Sequence, residues 1–169
     1  MRPASCPTIR IAQLAGLLLN NPRLFSGMVT PVSLHNWKQQ CRVSAAEFWD
    51  THYLFNRTSQ TKQKTLGIQM MYSLAINAIL PTLYAYGYYA GNRELMHKVL
   101  QLFKEIPGEK NRITSLWDAT GITQMQAFDT QALTELTNSY CTQKNCLQCA
   151  VGRQVLQVNL LQDHLIFLQ

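Results

Sequence analysis

Acidic residues are scarce in this chain. Nine Asp and Glu stand against fifteen Lys and Arg, and charged residues of both signs make up only 14% of the 169 residues, well below the roughly 25% of an ordinary soluble domain. Such a surface should be rich in Gln, Asn, Ser and Thr, or be covered in part by another domain or a partner chain. From Thr65 to Asn92 there is no charged residue at all. That run is long enough to span a bilayer. However, Gln69, Ser73, Asn77, Pro81 and Thr82 interrupt it, and a central helix buried by its neighbours accounts for the pattern with fewer demands. A sixth cysteine is also missing, and five cannot pair into the closed disulfide framework of a small secreted domain. The apolar run from Ile11 to Leu19 is broken by Gln13, and no A-x-A-like cleavage site follows it before Asn20-Asn21-Pro22. It therefore predicts an amphipathic helix rather than a signal peptide, and a cytoplasmic protein with no membrane anchor. Strand alternation is absent except in a short stretch from His164 to Gln169, and there is no internal repeat.

What is present is helical periodicity. Ile11, Leu14, Ala15 and Leu18 fall at i, i+3, i+4 and i+7, behind Thr8 as N-cap and ahead of Pro22 as a stop. Ser33 caps a segment carrying Leu34, Trp37 and Cys41. Ser44 followed by Glu47 has the capping-box spacing and opens a helix over Ala45 to His52. Asn56 to Lys64 is wholly polar and reads as a loop. The long apolar helix follows, with Pro81 marking a kink or break. Asn77 within it is expected to be a buried amide tying helices together, and Tyr84 to Tyr89 to be core. Asn92 caps a helix with Leu95, Val99, Leu102, Phe103 and Ile106 on one side. Ile113, Leu116 and Trp117 mark another that stops at Gly121. Asp129 caps a further helix, with Phe128 and Leu133 as a hydrophobic staple, and that helix runs into Cys141. The expected fold is all-α, a compact bundle of roughly seven to nine helices. It would form one helical domain over 1–157, with a short, extended tail over 158–169.

Three cysteines carry the sharpest chemistry. Cys141, Cys146 and Cys149 have the spacing C-x4-C-x2-C, short enough for three sulfurs to meet one zinc ion or one iron–sulfur cluster. Cys146 and Cys149 would share one face of a helix's first turn, where free N–H groups and Lys144 favour thiolates. A closed site needs a fourth ligand, and Cys41, His52, Cys6 and His164 are the candidates. The alternative is three reduced cysteines packing a helix junction with no cofactor. Arg57, Lys62 and Lys64 form a basic loop beside Tyr53 and Phe55, an arrangement that suits nucleic-acid binding and is equally that of a solvated loop. Glu47, Asp50 and His52 lie close in sequence. A carboxylate near a histidine suits acid–base chemistry, although His52, two residues from Asp50, would point away from it on a helix.

Four strings taken together resemble a known family: Arg2-Pro3-Ala4-Ser5-Cys6-Pro7-Thr8-Ile9-Arg10-Ile11-Ala12-Gln13-Leu14-Ala15, Phe48-Trp49-Asp50-Thr51-His52-Tyr53, Asn77 through Pro81 to Tyr86-Gly87, and Tyr140-Cys141 through Cys149 to Gly152. The chain resembles the C-terminal half of a bacterial family, domain of unknown function 2851, from about Arg2 to about Leu156. The resemblance carries no activity. It implies a longer family protein with a more strand-rich region ahead of Arg2. In that setting this chain is expected to be a structural or binding lobe, with that region or a partner protein as its contact. A nucleic-acid module and an enzyme lobe completed elsewhere are the alternatives. Cys6 stands where the family pattern has an aromatic residue, and Cys41 is peculiar to this chain, which weakens both as ligands.

Overall fold

Pro7 in the first turn pre-sets the backbone of helix α1, Pro7–Asn20, because its fixed φ suits a helix and its missing N–H has no partner there in any case. In the computed structural model, residues 6–29 and 33–156 are described. The chain divides into two compact units, Met1–Ile106 and Pro107–Gln169, where the sequence predicts one domain over 1–157. The residues from 158 onward, including His164 and the expected extended tail, lie outside the described residues.

The N-terminal unit continues with α2 (Leu24–Val29), α3 (Leu34–Gln40) and a 3-10 turn, Glu47–Asp50. A two-stranded antiparallel hairpin, β1 (His52–Leu54) and β2 (Arg57–Thr58), follows. Then come α4 (Ile68–Leu74), a π segment (Ala75–Ile79), α5 (Leu80–Tyr89) and α6 (Arg93–Glu105). The all-helical class is as the sequence predicts, and these short strands are the only ones among the described residues. The core gathers Ile76, Leu83, Val99, Ile106 and Cys41, none more than 2% exposed, with Trp37, Leu80, Leu95 and Leu102 around them. The Trp37 indole N–H donates to the Met71 carbonyl at 2.9 Å, so a large apolar ring is buried with its one polar group satisfied. Gly87 lets α5 and α6 approach: a Cβ there would lie 3.0 Å from Met96 Cγ and 3.2 Å from the Asn92 carbonyl.

Pro81 has a definite effect on its helix. It has no N–H to offer the carbonyl four residues back, and the helix widens just before it: the Leu80 N–H reaches the Ala75 carbonyl, a π turn. The long helix bends its hydrogen-bond ladder there and does not break. Asn77 in this segment is exposed and donates to the Ser73 carbonyl at 3.0 Å, so it is not the buried tie expected of it. Tyr86, Tyr88 and Tyr89 are also exposed, at 44%, 65% and 87%. They stand on the outer side of α5 rather than in the core.

The helix starts show which caps are legible. Ser33 accepts from the Asn36 N–H and Asn92 from the Leu95 N–H, as expected of N-caps. Thr8 does not cap α1; its hydroxyl donates instead to the Tyr53 carbonyl, tying the helix to β1. Ser44 pairs with Thr65 in an isolated bridge and opens no helix, because the chain there is extended to receive Leu66 N–H on the Val43 carbonyl.

In the C-terminal unit, α7 (Arg112–Ala119) begins on a full capping box. The Asn111 side chain accepts from the Ile113 and Thr114 N–H groups, and Thr114 Oγ1 accepts from the Asn111 N–H. The helix stops at Gly121, whose φ is +85°, the left-handed conformation that ends helices. Helix α8 (Ala127–Leu136) starts two residues ahead of Asp129, with Gln126 at the N-cap position, so Asp129 sits in the first turn and does not cap. A π turn, Thr137–Cys141, extends α8, and residues 150–156 are helical.

Cys41 provides a pH test of the N-terminal core. It is fully buried, and burial pushes its thiol from 9.0 up to about 12, since a thiolate would lose its solvation. The unfolded chain therefore releases this proton at lower pH than the folded chain does. Between about 9 and 12 the folded state binds more protons, so stability falls as pH rises, by at most about 1.4 kcal/mol per pH unit. Urea midpoints of the protein and of Cys41→Ala, compared at about pH 8 and pH 10, should converge at the higher pH. An unchanged gap would mean that this thiol is ionised in the fold or accessible to water.

Candidate functional site

Helix α1 has two apolar faces, and the fold uses the less obvious one. Ile9, Gln13 and Leu17, spaced i, i+4 and i+8, are buried at about 5% exposure. The stripe Ile11, Leu14 and Leu18 faces outward at 68%, 51% and 51%, with Ala15 exposed between them and Leu19 at 81%. The reason lies in Gln13 and Gly16. The Gln13 amide donates to the Lys64 and Thr65 carbonyls at 3.1 and 3.0 Å, satisfying the backbone of the segment that crosses the helix. Gly16 lets that crossing be close, because a Cβ there would stand 2.8 Å from the Ser44 carbonyl oxygen. Beside the outward stripe runs an apolar groove of about 270 Å³, lined by Leu14, Leu17, Leu66, Met70 and Leu74, with Arg10 at its edge.

The basic loop does not stand as one cluster. Arg57 and Lys62 are exposed, but Lys64 is only 6% exposed. Its ammonium donates to the Asp50 and Lys62 carbonyls at 2.9 and 2.8 Å and lies 4.4 Å from the centre of the Tyr53 ring. A buried ammonium is tolerable only with such partners. Lys64 therefore braces the turn at Asp50 and is not available to phosphates. His52 is likewise engaged. Its Nδ1 lies 2.9 Å from both the Phe48 carbonyl and the Thr51 hydroxyl. The ring stacks on Phe48 at 4.1 Å and 8°. The pairing of Asp50 with His52 for acid–base work is not assembled: the strand that starts at His52 carries its side chain to Phe48.

The cysteine corner is a tight reversal. Lys144 adopts φ +56°. The Asn145 N–H returns to the Tyr140 carbonyl and the Lys144 N–H to the Cys141 carbonyl, at 2.9 and 3.1 Å. This is a Schellman ending with a lysine where glycine is usual. The Cys149 N–H then closes a turn on the Asn145 and Cys146 carbonyls, and Gly152 packs its Cα face on the Cys146 backbone. Cys141, Cys146 and Cys149 all line one apolar depression of about 130 Å³, with Trp117, Leu136 and Tyr140. Cys141 and Cys146 are exposed, and Cys149 is buried. Among the described residues, no three His, Cys, Asp or Glu side chains are grouped so that they could hold a metal ion. The spacing brings the three cysteines to the lining of one depression. Cys41 and His52, expected as further ligands, belong to the N-terminal unit. Cys6 is bonded there to Thr8 and to the Tyr53 carbonyl.

Sequence reasoning missed one feature that the structure shows plainly. Phe48, Trp49, His52 and Phe55 form a cluster of touching rings on the 3-10 turn and hairpin. Its only signal in the sequence is the density of rings between 48 and 55.

The model of a protein family of unknown function, DUF2851, matches residues 1–112, about two thirds of the chain. The chain belongs to the DUF2851 family. The match takes in the whole N-terminal unit, with the α1 face and the hairpin, and the first three of the strings that carry the resemblance. It stops before the fourth, so the cysteine corner lies outside the matched residues. No curated protein and no solved structure matches the chain. Among the described residues, no helix is long and apolar enough to cross a membrane.

Proposed function

We infer that the chain is a structural and binding lobe, docked onto an apolar protein segment through the outward face of α1. The observation that carries this reading is the exposure of Ile11, Leu14, Leu18 and Leu19 on a helix with no charge between Arg10 and Arg23. Scattered exposed leucines are ordinary, but a continuous apolar stripe marks an interaction face. The spacing i, i+3, i+7 is the one by which helices seat against a partner. The groove beside the stripe would receive side chains from that partner. An apolar, mostly uncharged segment fits best, since an ionic one would bury charges against a face that has none to pair with them.

A docking face separated from its partner stays sticky. The purified chain should bind a hydrophobic dye and associate weakly with itself as concentration rises in sedimentation runs. The double variant Ile11→Lys/Leu18→Lys should lose both properties while keeping the helical circular dichroism of the parent. A parent chain that is monomeric and dye-negative, indistinguishable from the variant, would remove the basis for the reading.

A further inference from the structure

We propose that the aromatic cluster of the 3-10 turn and hairpin, with Arg57 and Lys62, is a stacking site for single-stranded nucleic acid. The cluster is built on a rigid base. The Ser59 N–H donates to the Thr51 carbonyl at 2.7 Å, the Lys62 N–H to the Asp50 carbonyl at 2.8 Å, and the Lys64 ammonium to that same carbonyl. These bonds fix the turn and hairpin through their backbone and leave the rings to face outward. Phe48 is 44% and Phe55 70% exposed. Phe48 is already stacked on His52 in nearly parallel planes, and Trp49 meets both phenylalanine rings edge-on, at 5.2 Å for Phe48 and 5.1 Å for Phe55. An exposed ring held by its neighbours against collapse is what a nucleobase stacks upon, with little ordering cost to the protein.

The charge around the rings favours a polyanion over an apolar protein. From Glu47 to Ile68 there are three cations and two acids, the exposed Glu47 and the half-buried Asp50, and all three cations follow the turn. Arg57, on β2 opposite Leu54, and Lys62 are exposed beside the cluster. The Lys64 ammonium is held by carbonyl oxygens and the Tyr53 ring and supports the turn. The rest of the rim is Asn56, Thr58, Gln60 and Thr61, which can donate to phosphate or sugar oxygens. Glu47 is the one exposed acid of the supporting turn. Bases on Phe55 and phosphates on Arg57 and Lys62 make a site different from the three-cation loop that the sequence suggests, because Lys64 acts as its support and the rings supply the contact.

Fluorescence anisotropy of labelled oligothymidine and oligouridine of about 20 nucleotides, at about 50 mM salt, tests the site. Saturable binding is expected, with Phe55→Ala weakening it about 10-fold. Arg57→Gln should weaken it and lower the salt slope by about 0.7. Lys98→Gln, at an exposed position of α6, should leave it unchanged. Phe55 and Arg57 are exposed, so equal thermal midpoints should show that the variants are folded. Absence of binding to either would overturn the proposal and leave the rings to a protein partner. Binding that Phe55→Ala does not weaken would overturn it too, since the nucleic acid would then lie elsewhere.

Discussion

Replacing Lys64 by Met is expected to destabilise the protein by about 2–4 kcal/mol, although the substitution adds apolar character to a buried position. Methionine fills a similar length, so packing changes little. What is lost is the ammonium that satisfies the Asp50 and Lys62 carbonyls and faces Tyr53. Two carbonyl oxygens would then be buried with one donor fewer, and hydrogen bonds from charged donors contribute more than neutral ones. The Lys64 carbonyl holds the Ala45 N–H and the Gln13 amide, and the substitution leaves those bonds in place. The damage should thus concentrate in the turn and hairpin. Urea unfolding measures the loss, and Trp49 fluorescence should report loosening of the ring cluster. A change below about 0.5 kcal/mol would place the ammonium in solvent.

The second large effect is at Gly152. A methyl group there would run into the Cys146 carbonyl and approach the Cys146 Cα to 3.1 Å. These are backbone atoms of a turn already committed by the Cys149 N–H, so no flexible side chain can move aside. Gly152→Ala should cost about 1–3 kcal/mol in the C-terminal unit, as overpacking against fixed atoms does. It should also expose Cys149. In a thiol-titration assay, Cys141 and Cys146 should react quickly in the parent protein and Cys149 slowly. In Gly152→Ala all three should react at similar rates. If Cys149 stays protected and stability is unchanged, the corner is not packed as described.

The residues explain how far the sequence could be read. Ser33 and Asn92 were legible because an N-cap depends only on the few residues after it, and Gly121 because a left-handed helix ending favours glycine. The inner face of α1 was not legible. Apolar periodicity selects Ile11, Leu14 and Leu18, while the fold selects the face with Gln13 and Gly16, whose value lies in partners about 50 positions away and in contact with a crossing segment. The hairpin was lost to the capping-box spacing of Ser44 and Glu47, a local signal overridden by the bridge of Ser44 to Thr65. The cysteine spacing suggested a helix start carrying Cys146 and Cys149, but both lie in turns ahead of the helix over 150–156. It could not show which way each thiol faces, because the π turn at Thr137–Cys141 and the left-handed Lys144 rotate Cys141 and Cys146 outward.

The claim that α1 turns its uncharged apolar stripe outward, as a face for a partner, is tested most directly by comparing urea unfolding free energies. The account predicts that Ile11→Lys/Leu18→Lys stays within about 0.5 kcal/mol of the parent, while Leu17→Ala loses about 2–5 kcal/mol. The reverse order, with the lysine pair as damaging as the core truncation, would show that the stripe is core and would contradict the docking face.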